Sequence, residues 1–258
     1  MPIEILIFVL GLAFGSFFNV CISRLPKGES VVWPGSRCPS CKKGIAWYDN
    51  IPLLSFLLLK GRCRHCGFRI PVRYFLVEIT TGLLFWSLWK CLGPGWRLAE
   101  AVVFLSLLEM IFVTDLETGL IPDPLTVPGI AAGLLFGALA SEGLGQGPWT
   151  DGLIHALMGG AAGAAILWLT GWAGKIIFRK EAMGGGDVML LAMAGTFVGA
   201  LNTVFIFFTA PFFALPVAIY AKWIAKTETI PYGPYLALSS VLFFFWGEPI
   251  RSYFLITY

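Results

Sequence analysis

Long apolar stretches separated by short polar joints run through most of this chain. Windows of about 20 apolar residues, the length a helix needs to cross a bilayer, fall near 3–22, 74–92, 98–114, 125–140, 152–173, 188–206, 208–222 and 236–256. They predict about eight transmembrane helices. The pair between 188 and 222 is the least regular, because Pro211 and Pro216 interrupt it. Only helices and closed barrels satisfy their backbones in lipid, and these windows are too long and continuous for barrel strands. The pattern therefore predicts an all-α polytopic membrane protein.

Composition agrees with the pattern. Of 258 residues, 57% are hydrophobic and 13% charged, against about 25% charged in an ordinary soluble domain. No cleavable signal peptide is expected, since residues 1–20 lack a basic start and their apolar run extends into a helix-length segment. Of the 18 Lys and Arg, ten lie between Arg24 and Arg73. Lys175, Arg179, Lys180, Lys222 and Lys226 follow the fifth and seventh windows, while Lys90, Arg97 and Arg251 fall on the other side. Positive charge gathers on cytoplasmic loops, so the fifteen-to-three split predicts a cytoplasmic 24–73 loop and both termini outside. The partner implied is a lipid bilayer, and no nucleic acid is expected.

The 24–73 loop carries Cys38-Pro39-Ser40-Cys41 and Cys63-Arg64-His65-Cys66, two Cys-x2-Cys pairs 21 residues apart. Four thiolates on two tight turns match the tetrahedral preference of zinc, and Gly67 suits the turn after the second pair. Disulfides would need an oxidising compartment, which a cytoplasmic loop lacks. A loop this short buries little core, so a structural zinc at Cys38, Cys41, Cys63 and Cys66 is the expected staple. His65 is expected to fill the knuckle rather than bind. The apolar stretch from Trp47 to Leu59 is too short to span and is expected to lie against the membrane face or the bundle.

Acidic residues are scarce, and two stand out. Asp115 ends the apolar run Ala101–Thr114, and Asp187 closes Gly184-Gly185-Gly186-Asp187 before the next one. A carboxylate at membrane depth costs about 2.5–3.5 kcal/mol on insertion scales and marks a functional site by default. The charge bias puts both acids on the cytoplasmic side. The three glycines strip side chains from the backbone beside Asp187, so that another chain can approach. Asp123 has a simpler role, capping a helix whose first residue is Pro124. Glu78 and Glu109 lie within spans and are candidates to line the site, as is Asp123. Gly11 and Gly15 form a small-xxx-small pattern that reads as helix-packing glue. Asp115 is expected at a helix C-terminus and Asp187 at a helix N-terminus. The two dipoles predict that Asp115 keeps a shared proton while Asp187 activates water.

Together these motifs resemble the type IV prepilin peptidases, the leader peptidase/N-methyltransferase family, over nearly the whole chain. The resemblance rests on Gly15-Ser16-Phe17-Phe18-Asn19-Val20 with Arg24-Leu25-Pro26, the two Cys pairs, and Trp47-Tyr48-Asp49-Asn50-Ile51-Pro52. It continues through Val77-Glu78, Asp115 to Asp123, Met183 to Asp187, and Ile230-Pro231-Tyr232-Gly233-Pro234-Tyr235. The family often has an acid two positions after its first aspartate, where this chain has Glu117. The resemblance implies an intramembrane aspartyl protease of the Gly-x-Gly-Asp kind in a bacterial inner membrane, with catalytic Asp115 and Asp187. Its substrates would be type 4 prepilins and pseudopilins, cut after a glycine on the cytoplasmic side. It also implies S-adenosylmethionine-dependent methylation of the new N-terminal residue, commonly Phe, linked to the four-Cys domain. No residue is identified as the site of that cofactor. The implied organisation is a first transmembrane helix at 1–23, a zinc domain at 24–73, a second helix at 74–97 and a peptidase domain at 98–258. Two other readings fit the same residues: a Gly-x-Gly-Asp protease for different substrates, and a non-enzymatic zinc-anchored transporter or scaffold.

Overall fold

Helices cover the apolar windows, with the stretch from 188 to 222 divided at Gly199. A computed structural model describes residues 2–143, 148–179, 183–225 and 230–255. Residues 144–147 of the expected external connection at 141–150, together with Lys180, Lys226 and the extreme termini, lie outside the described residues. The elements in order are α1 (Pro2–Arg24), a short α2 (Leu54–Leu58), α3 (Val72–Leu92), α4 (Trp96–Thr118), α5 (Asp123–Gly143), α6 (Trp149–Phe178), α7 (Gly185–Val198), α8 (Ala200–Tyr220) and α9 (Gly233–Leu255). Beyond helices, the described residues hold only two isolated antiparallel bridges, both near the cysteines. The chain divides within α4 into two compact units, residues 1–102 and 103–258.

In the first unit α1 packs on α3 through glycine. A Cβ on Gly11 would lie 2.8 Å from the Gly82 Cα, and one on Gly15 would lie 2.8 Å from the Glu78 Cα. Backbones that close leave no room for a methyl group, so Gly11 and Gly15 do act as packing glue. Asn19, almost fully buried, adds a polar tie by donating to the Tyr74 carbonyl at 3.0 Å. The apolar stretch between the cysteines folds into a 3-10 turn at Trp47–Asn50 and the helix α2. There Phe56 meets Phe75 of α3 with ring centroids 5.5 Å apart, while Trp47 stays exposed.

In the second unit α7 is the innermost helix. Every residue from Leu190 to Val198 is buried. Its neighbours reach it through small residues: Gly159 of α6 faces Gly195 backbone to backbone, and Gly163 faces Leu191. At 14 residues α7 is about 21 Å long, short of the roughly 30 Å hydrocarbon layer, as suits a helix enclosed by others. Among the described residues, four helices are long and apolar enough to cross a membrane: Pro2–Lys27, Val72–Leu92, Trp149–Ile177 and Ala200–Trp223.

The break between the sixth and seventh windows falls eight residues before the expected one. It sits at Gly199, not near 207. Gly199 takes φ +79°, and its N–H closes onto the Gly195 carbonyl at 2.8 Å. The His155 ring fills the space where a side chain would stand, so only glycine fits this corner. Pro211 and Pro216 lie inside α8 without ending it, both on its exposed face. Proline is tolerated within apolar helices whose freed carbonyls find other partners.

Candidate active site and metal centre

Asp115 occupies the last turn of α4 and is 4% exposed. Gly119, at φ +66°, stops that helix with its N–H on the Asp115 carbonyl at 2.8 Å. The side chain turns elsewhere: its Oδ2 accepts the Gly233 N–H at 2.9 Å. Gly233 is the first residue of α9, so Asp115 faces the positive end of a second helix as well as the negative end of its own. The two dipoles act on it in opposite senses. An assignment of the shared proton from the dipole of α4 alone therefore loses its basis.

Asp187 sits in the first turn of α7, half-buried, and takes a backbone hydrogen bond from Gly184. The charge of Asp115 reaches it, and its own charge reaches Tyr232. Burial chiefly, and then Asp187, pushes the Tyr232 phenol up to about 12, so it stays a neutral hydroxyl beside the acids. Ile121 wedges into the same place. A Cβ on Gly186 would lie 2.9 Å from the Ile121 Cβ, and one on Gly233 would lie 2.9 Å from its Cδ1. The three glycines before Asp187 thus have separate tasks. Gly186 admits Ile121, Gly184 lies against the Asp187 carboxylate, and Gly185 opens onto unfilled space.

The other candidate acids have surroundings of their own. Asp123 opens α5 and is exposed. Glu109 is half-buried on α4, six residues before Asp115 and hence about 240° around the helix from it. Glu78 belongs to the first unit, where its Oε2 accepts the Leu53 N–H at 2.8 Å. Tyr232, Gly233 and Ile121 were given no role by sequence reasoning. A signal was available in Tyr232-Gly233-Pro234: a glycine before proline at a helix start offers an unobstructed N–H to an anion.

The prediction that follows is specific. A Cβ on Gly233 would lie 2.6 Å from the Asp115 Oδ2, too close to stand. Gly233→Ala should push the carboxyl aside and lower the catalysed rate by about 10²-fold, the scale of an ångström-sized misplacement. Thermal stability should change little, and an unchanged kcat/KM would show that the Gly233 contact does not position Asp115.

The four cysteines meet in the first unit. The sulfurs of Cys38, Cys41, Cys63 and Cys66 all lie within 4.8 Å of one another, and Cys38 to Cys66 is 3.7 Å. Four sulfurs at 2.3 Å around one tetrahedral ion would be about 3.8 Å apart. The cluster fits a metal ion, and all six cysteines are free thiols. Two similar knuckles build it. The Cys38 N–H bonds the Lys43 carbonyl and the Cys63 N–H the Phe68 carbonyl, with Lys42 and Gly67 both at positive φ after the second cysteine. His65 lies outside the four-sulfur cluster. Arg64 clamps Asp49 with two hydrogen bonds of 2.8 and 2.6 Å, tying the Trp47–Asn50 turn to the second knuckle and holding the Asp49 carboxyl below the usual range.

Fold and site together define a helical protein with helices long and apolar enough to cross a membrane, two partly buried aspartates that feel each other's charge, and a four-cysteine cluster able to hold a metal ion. Residues 9–91 match the Bacterial Peptidase A24 N-terminal domain, and residues 102–219 match the Type IV leader peptidase family. The chain belongs to that family. The prepilin leader peptidase/N-methyltransferase of Myxococcus xanthus is 46% identical over 194 residues, covering 75% of this chain and 56% of the relative's length. The protein of the same name from Klebsiella pneumoniae is 44% identical over 199 residues, covering 75% and 84%, and that from Aeromonas salmonicida is 36% identical over 281 residues, covering 98% and 94%. No solved structure gives a significant match. The match to the peptidase model ends at 219, before the Tyr232-Gly233 pair that meets Asp115 and Asp187.

Proposed function

We propose that this chain cleaves the basic leader from type 4 prepilins and pseudopilins at the cytoplasmic face of a bacterial inner membrane, and then methylates the exposed N-terminal residue. The observation that carries the peptidase reading is the buried Asp115, pinned by the Gly233 N–H and brought within reach of Asp187. Two carboxyl groups that feel each other's charge do not both ionise readily, so the pair shares a proton. The protonated member polarises the scissile carbonyl, and the ionised one draws a proton from water as the oxygen attacks. The resulting diol collapses with protonation of the leaving amine. Gly185, open to solvent space, and the small side chains around it leave an extended peptide room to approach.

The remaining assignments follow the same reading. Residues 1–23 and 74–97 form the first two membrane helices, 24–73 the zinc domain and 98–258 the peptidase domain. Eight helices cross or pack within the bilayer, with the acids and the zinc domain on the cytoplasmic side and both termini outside. Zinc is held by Cys38, Cys41, Cys63 and Cys66. S-adenosylmethionine, when bound, supplies an activated methyl group, and this chain's part is to hold it beside the new N-terminal amine. The loop is basic, so a basic leader is not drawn in by bulk charge. Recognition rests on the local acids and on packing of the substrate's apolar helix. Incubating the purified protein with a prepilin and S-adenosylmethionine, then weighing the product, tests the proposal. Loss of the leader with one added methyl is expected, and an uncut prepilin would reject it.

A further inference from the structure

A cavity of about 380 Å³ opens in the first unit beside the C-terminal half of α1. It belongs to neither the aspartate pair nor the four sulfurs. One wall is a face of α1 on which Phe17, Val20 and Arg24 recur at helical spacing; the others come from Val31 to Ser36 and from Asn50 and Pro52. Its volume falls in the range of small-molecule and cofactor sites, about 300–1,000 Å³. The lining has the make-up of such sites too, mainly apolar with a few placed polar groups.

Each wall is built rather than left loose. Arg24 donates through Nη1 to the Ser30 carbonyl at 2.9 Å and through Nη2 to the Gly35 carbonyl at 3.2 Å, which fixes the outer segment. Those bonds go to neutral carbonyls and use two of its five N–H groups, so its charge is available to an anion. On the opposite side, Leu53 stands at φ +58° and ψ −48°, a strained conformation for a non-glycine residue. The buried Glu78 holds it there by accepting its N–H, directly after Pro52. Strain kept in place by a buried carboxylate is the mark of a segment whose position matters. The outer segment also runs into the metal knuckle, since the Ser36 carbonyl accepts the Ile45 N–H at 2.8 Å and Cys38 follows two residues later. The metal site and the cavity share a wall.

We infer that this cavity binds the methyl donor, a nucleoside sulfonium carrying an amino-acid tail, with Arg24 receiving the tail carboxylate. The inference rests on the methyltransferase reading above and adds to it a place. The residues fit the group: a cation for the carboxylate, Asn50 and Ser36 for neutral hydrogen bonds, and the apolar faces of Phe17, Val20, Val32 and Pro52 for a planar base. Glu78 is a positioning residue here, acting through Leu53. The shared wall also gives the four cysteines a physical reason to matter for methylation, because a knuckle without its ion would no longer hold Gly35 and Ser36.

The test uses the full-length protein in detergent with its metal, and S-adenosylhomocysteine as a non-reactive probe. Calorimetric titration should show binding by the unaltered chain. Val20→Trp, which fills the cavity, should weaken it at least about tenfold, while Ile5→Trp, on an exposed part of α1, should not. Metal content and melting temperature check that both variants fold. Photolabelling of the unaltered chain with an azido derivative of S-adenosylmethionine needs no variant, and the label should map to peptides 13–24 or 31–36. Equal affinity in Val20→Trp, or a label confined to residues 103–258, would overturn the site and leave the methyltransferase reading standing. Absence of any binding by the unaltered chain would overturn both.

Discussion

Asp115→Asn and Asp187→Asn should each reduce leader cleavage by at least about 10³-fold while the protein still inserts and folds. Removing a group that donates or accepts a proton in the transition state typically costs 10²–10⁴, and members of a unit fail together, so either loss should approach the loss of both. The fold should survive for reasons visible in the site. Asn keeps an acceptor oxygen, so the Gly233 N–H that bonds Asp115 retains its partner. Asp187 lies half-buried as the third residue of α7, where Asn keeps the shape and an acceptor oxygen and gives up only the helix-dipole attraction, about 0.3–1 kcal/mol. Asp123→Asn is the control, since Asp123 is exposed as the first residue of α5. Steady-state cleavage of a prepilin by the three variants reads the result. Comparable loss in Asp123→Asn would show that the wrong acid of the Asp115–Asp123 stretch had been assigned.

The positions of the helices and the two aspartates could be read from the chain because both are local signals. An apolar window of bilayer length has one regular way to satisfy its backbone, so α3 and α4 appear within a few residues of the windows that predict them. Asp115 and Asp187 stand out because charge is rare around them. What could not be read depends on distant partners. The Gly233 N–H lies 118 residues from Asp115, and no periodicity links them. The proton assignment from dipoles counted one helix end at Asp115 where the fold supplies two. The corner at Gly199 was hidden because the prolines of α8 drew attention to the wrong break, while the His155 ring that demands glycine comes from another helix. Glu78 stands out in the sequence as an acid in a span, but its partner, the N–H of a strained Leu53, is a backbone feature with no sequence signature.

Replacing Cys38 or Cys66 by Ser should remove one zinc ion per chain and abolish methylation, with cleavage reduced far less. The energetic scale favours a large effect. Structural zinc contributes about 10–16 kcal/mol of apparent binding energy in small domains, and that binding is inseparable from their folding. The other ties of the 24–73 segment, the Asp49–Arg64 clamp, the Phe56–Phe75 contact, the two Arg24 bonds and the Leu53–Glu78 bond, do not hold Cys41 or Cys66, so the meeting of the two knuckles depends on the four sulfurs. The two outcomes separate because the acids lie in the other unit. Asp115 is held by Gly233, and Gly184 and Ile121 lie at the start of α7 beside Asp187, all within residues 103–258, so these ties do not run through the ion. The cavity beside α1, by contrast, shares the Gly35–Ser36 wall with the first knuckle. Elemental analysis of the purified chain and its two variants, with separate assays of leader removal and methyl incorporation, measures each part. Protein without zinc before any substitution would overturn the metal site. Equal loss of both activities would mean that the four-cysteine domain also builds the protease centre.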